Sequence, residues 1–287
     1  MPAGEASPAP ALSAWRIKSW FWGDCQPVGY CQLISVGVRV HFMNSRRTSK
    51  PVALVTGANK GIGFEVARAI AQSGYVVLLG ARNRATGHEA AGTLTSERLD
   101  VRFVELDVTR METISAAAAR IEADFGKLDV LVNNAGIADS HDGPPSRVSI
   151  EVMERVLRTN FLGAVAVAQA VLPLLRKSHA GRIVNVSSDR GSITRHGDAT
   201  WKYAHVKVLG YSASKAALNM FTVQLAFELR DQGIAVNSVN PGFTATDLNA
   251  HRGQQTVKEG AAEIVRVALL EHGPSGKFLE TGGELVW

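Results

Sequence analysis

The chain has 287 residues, 46% hydrophobic and 20% charged, a composition typical of a globular protein with a sizeable core and not of a disordered chain. The formal net charge is +5, but residues 1–50 hold six basic and two acidic side chains, so the remaining residues carry only +1. No basic stripe or nucleic-acid motif accompanies this charge, which argues against nucleic-acid binding.

The first 48 residues differ from the rest of the chain. They contain both cysteines, Cys25 and Cys31, and three of the five tryptophans. They have no apolar run of membrane-spanning length and lack the order of a secretory signal. We interpret residues 1–48 as an extension, either a disordered tail or sequence upstream of a functional start at Met43, with a transit peptide as the alternative. The predicted domain, 49–287, has no cysteine and needs no oxidising compartment, so we expect a cytoplasmic protein.

The stretch PVALVTGANKGIG, residues 51–63, predicts a phosphate-binding turn. Its apolar run is typical of a buried parallel strand, and a helical pattern follows the glycines. Glycines let the backbone approach a pyrophosphate closely, and a helix N-terminus offers free N–H groups and the positive end of its dipole. The spacing is G-x-x-x-G-x-G and not G-x-G-x-x-G, so the turn alone is weak evidence for a dinucleotide.

Strand and helix patterns alternate after this turn. Further strands are predicted at 75–80, 101–105, 128–132, 182–186, 235–239 and 277–279. The first helix is predicted at 64–72, and the second follows the strand at 75–80 and ends at about residue 97. The third runs from a cap at Thr109 to about residue 125, and the others are predicted at 149–177, 210–230 and 256–270. Because no repeat or linker interrupts this alternation, we expect one α/β domain, a doubly wound parallel sheet with helices on both faces.

Distinctive residues recur where these strands end. Ligands of such sheets bind beyond the carboxyl ends of the strands. At those ends lie the glycine turn, Arg82, Asp107, residues 133–136, Ser188 and the Pro241-Gly242 pair. Their coincidence at one edge is stronger evidence for a binding cleft than any single motif.

A tyrosine and a lysine four residues apart indicate acid–base chemistry. Tyr211 and Lys215 share one helical face, and a nearby ammonium is expected to lower the pKa of the phenol toward neutrality. Such a phenol can exchange a proton with a substrate oxygen. Ser187 and Ser188 close a strand beside the expected cleft, where a hydroxyl can hydrogen-bond that oxygen. Asn160 is a poor helix former inside a predicted helix, where it is either a tolerated polar position or the holder of a water or backbone group near Lys215.

Taken together, residues 51–287 resemble the short-chain dehydrogenases/reductases. The matching pieces are TGANKGIG (56–63), LDV (106–108), NNAG (133–136), Asn160, SS (187–188), YSASK (211–215) and NPGFTATD (240–247). They occur in the family's order and on the expected elements, so the match is specific. The resemblance implies a Rossmann-type fold and a hydride-transferring oxidoreductase.

The resemblance also implies the roles of individual residues. The catalytic residues would be Asn160, supporting a proton-relay water, Ser188, positioning a carbonyl, Tyr211, acting as general acid in reduction, and Lys215, holding the nicotinamide ribose. The second serine of the pair is the catalytic one in this family. The cofactor-binding residues would be Gly57, Asn59, Lys60, Gly61, Ile62, Gly63, Arg82, Asp107, Val108, Asn134, Ala135, Gly136, Tyr211, Lys215, Pro241, Gly242, Thr244 and Thr246.

The second strand predicts which nicotinamide cofactor is bound. An acidic residue closing this strand would bind the ribose 2′-hydroxyl, but here Ala81 and Arg82 follow the apolar run. A guanidinium can bind a 2′-phosphate with two hydrogen bonds, and Lys60 adds a second positive charge. We therefore predict NADP(H) over NAD(H), and no metal, since no cluster with metal-ligand spacing occurs.

The segment between Ser188 and Tyr211 bears on the substrate. It is longer than in the shortest family members, and with NKGIG and the GAR at 80–82 it most resembles the carbonyl-reductase branch. Because such an insertion can cover the surfaces that pair subunits, we expect a monomer. Trp201 and Tyr203 either wall an apolar pocket or pack the loop down, and His196 is expected to be a solvated loop residue.

These observations predict an enzyme that reduces an aldehyde or ketone with NADPH, or catalyses the reverse reaction. An alcohol dehydrogenase that oxidises a cyclic or terpenoid alcohol is the first alternative. A catalytically idle dinucleotide sensor is the second, although a sensor would not need to keep all four catalytic groups. The substrate is a small molecule, and no nucleic-acid partner or membrane span is expected.

Overall fold

The structure is a computed structural model that describes residues 50–287. The prediction of an extension at 1–48 lies outside the described residues. The strands are β1 (Val52–Thr56), β2 (Val76–Ala81), β3 (Val101–Glu105), β4 (Val130–Asn133), β5 (Gly181–Val186), β6 (Ile234–Val239), β7 (Phe278–Glu280) and β8 (Gly283–Glu284). The helices are α1 (Gly61–Gln72), α2 (Arg84–Ser96), α3 (Met111–Phe125), α4 (Ile150–Leu157), α5 (Gly163–Leu175), α6 (Ile193–Gly197), α7 (Leu209–Glu228) and α8 (Val257–Leu269).

All eight strands form one sheet in the order β3-β2-β1-β4-β5-β6-β7-β8. Every neighbouring pair is parallel except β7 and β8, which are antiparallel. The strand order reverses between β1 and β4, the switch point where such sheets open a crevice for ligands. The predicted single α/β domain with a Rossmann-type parallel sheet is confirmed for the described residues.

Side chains of the strands divide between the two faces of the sheet. In β1, Ala53 and Val55 contact a core with α1, α2 and α8, whereas Val52 and Leu54 contact a core with α3, α5 and α7. This division follows from the period of two along a strand. Because both faces are covered, the central strands consist almost wholly of buried residues.

The structure corrects some local predictions. Helix α1 begins at Gly61, so two glycines of the turn belong to its first turn. Arg110, and not Thr109, is the N-cap of α3, because the Thr109 hydroxyl donates to the Asp107 carboxylate at 2.7 Å. The short elements α6 and β8 were not predicted, since five and two residues are too few for a periodic signal.

The helix predicted at 149–177 contains a π-helical segment, Arg158–Leu162, between α4 and α5. Across the described residues, 150–175 is the one helical run long and apolar enough to span a membrane by length and composition. Its α5 part supplies Val167, Val171 and Leu175 to the core beneath the sheet. We therefore interpret this run as a core helix.

Candidate active site

The glycine turn is closely packed against the end of β4. Gly57 has a positive φ of 62°, and a Cβ there would lie 2.9 Å from the Cα of Ala135. A Cβ at Gly63 would lie 2.3 Å from the amide nitrogen of Asn134. Side chains at either position would displace the neighbouring backbone, so glycine at both positions allows the turn to pack closely against the end of β4. The turn leads directly into the N-terminus of α1, where Gly61 and the half-buried Ile62 lie. This cradle fits the pyrophosphate of a dinucleotide.

The residues after β4 support this cradle from the side. The Asn134 amide donates to the carbonyls of Thr56 and Gly57 at 2.9 and 3.1 Å. The Thr56 hydroxyl accepts from the backbone N–H groups of Asn134 and Ala135, both at 3.0 Å. These four hydrogen bonds join β1 to β4 across the switch point. The side-chain amide of Asn134 therefore binds the turn itself.

Two charged residues predicted to bind the cofactor, Arg82 and Asp107, interact with each other. Arg82 follows β2 and is exposed. Burial raises the pKa of Asp107, but hydrogen bonds from Thr109 and then the charge of Arg82 outweigh it, so this pKa is lowered. Arg82, which follows the second strand, is therefore close enough to Asp107 to interact with it electrostatically. The next residue, Val108, is buried beside Gly163.

Two residues of the turn already have partners. The Asn59 amide donates to the Thr86 hydroxyl at 3.2 Å. The Lys60 ammonium pairs with Asp247 at 2.5 Å. This ion pair and hydrogen bonding with His251 lower the Asp247 pKa, although both partners of the pair are more than half exposed. Lys60 thus connects the turn to the loop after β6.

The loop after β6 contains Pro241, Gly242, Thr244 and Thr246. Thr244 is buried, and its hydroxyl lies 3.3 Å from the Pro241 carbonyl oxygen, to which it donates. A Cβ at Gly242, which has a φ of 76°, would lie 2.4 Å from a Gln255 side-chain oxygen. Thr246 is the N-cap of a short 3-10 turn, and a Cβ at Gly61 would lie 3.7 Å from its methyl group. The loop therefore folds back over the glycine turn.

Asn160 lies in the π-helical segment and is buried. Its side-chain oxygen accepts from the Ile137 N–H at 2.8 Å, and its amide donates to the Ile137 carbonyl at 2.9 Å. The same amide donates to the Ser214 hydroxyl at 3.0 Å. Of the two interpretations left open by the sequence, the structure supports a side chain that holds backbone. Helices often widen into π segments at functional sites.

Gly136 lies close to the side chains of both Asn160 and Lys215. A Cβ at Gly136 would lie 3.4 Å from the Asn160 side-chain oxygen and 3.6 Å from the Lys215 ammonium nitrogen. Lys215 is only 5% exposed, and its ammonium donates to the Val186 carbonyl at 2.8 Å. Burial lowers the pKa of Lys215 to about 8. The last residue of NNAG, the π segment and α7 thus converge on one ammonium group.

The two serines after β5 have different surroundings. Ser187 is buried, and its hydroxyl donates to the Asn219 side chain at 2.7 Å. Ser188 is more exposed, and its hydroxyl donates to Asp189 at 3.2 Å. It also lies near enough to the Tyr211 phenol to lower the pKa of that group. Of the two, Ser188 is therefore the serine that faces the tyrosine.

The Tyr211 phenol lies beside Ser188 and Lys215. The Lys215 ammonium nitrogen is 5.6 Å from the centre of the phenol ring. Burial raises the pKa of Tyr211 to about 12, which hydrogen bonding with Ser188 and the charge of Arg190 only partly offset. The prediction that the lysine brings this pKa toward neutrality is wrong for the free enzyme, because loss of hydration outweighs the nearby charges.

The insertion between Ser188 and Tyr211 is packed by aromatic contacts. The Trp201 ring lies 5.1 Å from His196 and 5.6 Å from Tyr203, and Tyr203 lies 6.2 Å from Phe243. His196 is half-buried and hydrogen-bonds the Arg190 carbonyl at 2.9 Å, so the prediction of a solvated histidine is wrong. Within residues 50–287, no group of three or more His, Cys, Asp or Glu side chains could hold a metal ion.

The phosphate cradle at the switch point and the Ser-Tyr-Lys group beside it define a dinucleotide-dependent oxidoreductase. Comparison with known proteins agrees with this class. The family model for short chain dehydrogenase matches residues 51–257. The chain belongs to the short-chain dehydrogenase/reductase family, in which it is carbonyl-reductase-like, and it is an oxidoreductase.

Three similar proteins show how far this likeness extends. Salutaridine reductase from Papaver somniferum is 34% identical, over 81% of this chain and 95% of that protein. (+)-Neomenthol dehydrogenase from Arabidopsis thaliana is 34% identical, over 79% of this chain and 94% of that protein. The crystal structure of NADPH-bound carbonyl reductase from chicken fatty liver has a TM-score of 0.74 and 29% identity, and covers 83% of this chain and 99% of that chain.

Proposed function

We propose that this enzyme interconverts a carbonyl and an alcohol with NADP(H), and that Tyr211 carries the proton. The observation that supports this most is the meeting of Ser188, Tyr211 and Lys215 beside the glycine cradle. A hydroxyl, a phenol and a cation at this point can bind and protonate one substrate oxygen. When bound, NADP(H) supplies or accepts the hydride.

Each of the four groups has a separate task in this proposal. Ser188 would hydrogen-bond the carbonyl oxygen, and Tyr211 would donate its proton to that oxygen. With a pKa near 12, the phenol stays protonated at neutral pH and is ready to act as an acid. Lys215 would hold the nicotinamide ribose, and Asn160 would fix the backbone after NNAG beside Lys215 and support a relay water.

The preference for NADP(H) over NAD(H) rests on Arg82. No acidic residue closes β2, and the Arg82 guanidinium is exposed at that end of the strand, where a 2′-phosphate would be bound. The NADPH-bound chicken carbonyl reductase supports this choice. Because Lys60 is paired with Asp247, we assign the larger share of phosphate binding to Arg82.

Substitution of Arg82 tests the cofactor assignment. Arg82→Ala should raise the KM for NADPH about 10-fold or more, because a charge-assisted hydrogen bond contributes about 1.5–3 kcal/mol. The KM for NADH should change little. Equal effects on both cofactors, or none, would contradict the role of Arg82.

Removal of a single hydroxyl tests the proton transfer. NADPH oxidation is followed by absorbance with a panel of aldehydes, ketones and quinones. Tyr211→Phe should abolish turnover of every carbonyl compound that the wild-type enzyme reduces. NADPH binding, measured by fluorescence, should persist. Tyr203→Phe is the matched control, since it removes a tyrosine hydroxyl from the packed insertion. Unchanged turnover in Tyr211→Phe would refute the proposed role.

An alcohol dehydrogenase acting oxidatively on a cyclic or terpenoid alcohol is the second candidate. The likeness to a neomenthol dehydrogenase favours it. The same panel run with NADP⁺ and cyclic alcohols separates the two directions. Faster NADP⁺ reduction than NADPH oxidation would favour this alternative.

We also propose that the protein acts in the cytoplasm as a monomer. The proposal of a monomer rests on the length of the insertion between Ser188 and Tyr211. The exposed apolar side chains of Met220, Val223 and Phe227 along α7 count against it, because the insertion does not cover this face. Sedimentation velocity tests the proposal, and a dimer would contradict it. Fractionation of cells that express the full chain tests the location.

A further inference from the structure

The helix that carries Tyr211 lacks a capping side chain of its own. The first N–H groups of a helix have no partner within the helix and need another acceptor. The N-cap of α7 is Val208, which has no acceptor atom in its side chain. Serine, threonine, aspartate and asparagine usually fill this position. The first turn of α7, which includes Tyr211, must therefore be satisfied from elsewhere.

Asp142 supplies the missing acceptors from a loop 68 residues earlier. One of its carboxylate oxygens accepts from Gly210 N–H at 2.9 Å, and the other accepts from Tyr211 N–H at 2.7 Å. The Gly143 carbonyl accepts from Leu209 N–H at 2.9 Å. Residues 142 and 143 thus satisfy the first three N–H groups of α7. A carboxylate also interacts favourably with the positive end of the helix dipole.

The tyrosine backbone is held on its other side by the Asn160 network. The Tyr211 carbonyl accepts from the Ser214 hydroxyl at 2.7 Å, and Ser214 accepts in turn from Asn160. Asn160 also forms hydrogen bonds with the backbone of Ile137, which lies in the same loop as Asp142 and Gly143. Both sides of Tyr211 are therefore connected to the same loop, 137–143.

Gly210 makes room for this contact. A Cβ at Gly210 would lie 3.2 Å from the nearer carboxylate oxygen of Asp142, closer than most such contacts. A side chain there would push the carboxylate away from the helix. The absence of a side chain at Gly210 therefore favours this capping geometry.

We propose that Asp142 is a positioning residue for catalysis. From a distant loop of the same chain it caps the N-terminus of α7 and thereby holds the Tyr211 phenol beside Ser188. The proposal rests on the proposed role of Tyr211 in proton transfer. It predicts that loss of the cap lowers the rate of the chemical step more than it lowers cofactor binding, because a small displacement of the phenol weakens proton transfer.

The test compares variants on the panel member that the wild-type enzyme reduces fastest. Asp142→Ala should lower kcat ~10- to 100-fold and leave the KM for NADPH within about twofold. Asp142→Asn keeps one acceptor oxygen and should lose less. Adding Val208→Asp to Asp142→Ala supplies a cap at the helix's own N-cap position and should restore most of kcat.

A control separates positioning from stability. Thr256→Ala removes the cap of α8, a hydroxyl that accepts from Glu259 N–H at 3.2 Å, and α8 carries none of the proposed site residues. Both cap losses should lower Tm by about 2–4 °C, but only Asp142→Ala should lower kcat. If kcat of Asp142→Ala stays at the wild-type value, or if Val208→Asp restores Tm but not kcat, the proposal is wrong.

The variants also distinguish the positioning role of Asp142 from the proposed role of Tyr211 in proton transfer. If Asp142→Ala does not fold, Asp142→Asn and Gly210→Ala decide, since each weakens the cap and should still lower kcat with little change in the KM for NADPH. Inactive Tyr211→Phe with fully active cap variants would refute only the positioning role. Active Tyr211→Phe would refute the proposed function itself.

Discussion

Replacement of Lys215 by methionine should reveal the energetic cost of the buried ammonium. Lys215 is 5% exposed, and burial lowers its pKa from 10.5 to about 8. Since one pKa unit corresponds to about 1.36 kcal/mol, keeping this group charged at neutral pH costs the folded state about 3 kcal/mol. Methionine removes this cost but leaves the Val186 carbonyl without its donor, which costs about 1–3 kcal/mol. Near neutral pH, Lys215→Met should therefore be as stable as the wild type or slightly more stable, although inactive.

The dependence on pH isolates the lysine from the lost hydrogen bond. Below about pH 8 the lysine is protonated in both the folded and the unfolded chain, so stability does not change with pH on its account. Between about pH 8 and 10.5 the unfolded chain holds the extra proton, so wild-type stability rises. The wild type should gain up to ~3 kcal/mol over Lys215→Met across this range.

Urea unfolding of both proteins at a series of pH values measures this gain. The exposed Lys258→Met is the matched control, and its difference from the wild type should not follow the same curve. Tyr211 also makes stability depend on pH, because its pKa is raised in the folded state. This contribution is common to all three proteins and largely cancels when their free energies of unfolding are compared. A constant difference between the wild type and Lys215→Met would refute the reasoning, because it would mean that Lys215 titrates alike in both states.

The remaining predictions concern the site. Ser187→Ala should lower the free energy of unfolding by about 1–3 kcal/mol, since it leaves a buried amide unpaired, while Ser188→Ala should lower kcat with little loss of stability; the reverse pattern would mean that the two serines have exchanged roles. Because the phenol of Tyr211 has a pKa near 12, alcohol oxidation should accelerate steadily as pH rises, since the base is the phenolate, whereas carbonyl reduction should not; a plateau of oxidation near neutral pH would contradict this. Gly63→Ala should raise the Kd for NADPH at least ~10-fold, because its methyl group would displace the Asn134 amide from the cradle; stopped-flow binding measures this Kd, and an unchanged value would contradict the role of the cradle.

Much of the fold follows from local sequence. The apolar runs of β1, β2 and β4 are buried on both faces, so their residue types alone indicate parallel strands. The glycine turn was predictable because glycine adopts the positive φ of Gly57 and Gly61 without the steric cost that other residues incur. Helix ends were less certain, as Thr109 shows, because several polar residues compete for one cap.

The motif residues could be named from the sequence, but their physical state could not. Tyr211 and Lys215 are four residues apart on one helix, which local geometry guarantees. Their pKa values depend on how much water the packed domain removes, and the direction for Tyr211 was opposite to the one expected. Which of Ser187 and Ser188 faces the tyrosine was predicted from the family resemblance, whereas its cause, the buried Asn219, lies on another element.

Asp142 marks the limit of sequence reasoning most clearly. In the sequence it is one of several polar residues in a loop and lacks a motif of its own. Its three backbone partners are Gly143, next to it, and Gly210 and Tyr211, which are far away in the chain. The sequence by itself indicated the strands, the cradle and the candidate catalytic residues, because these depend on local spacing and motifs. Only the tertiary structure decided which carboxylate caps the tyrosine's helix, because hydrogen bonds between distant segments arise from packing.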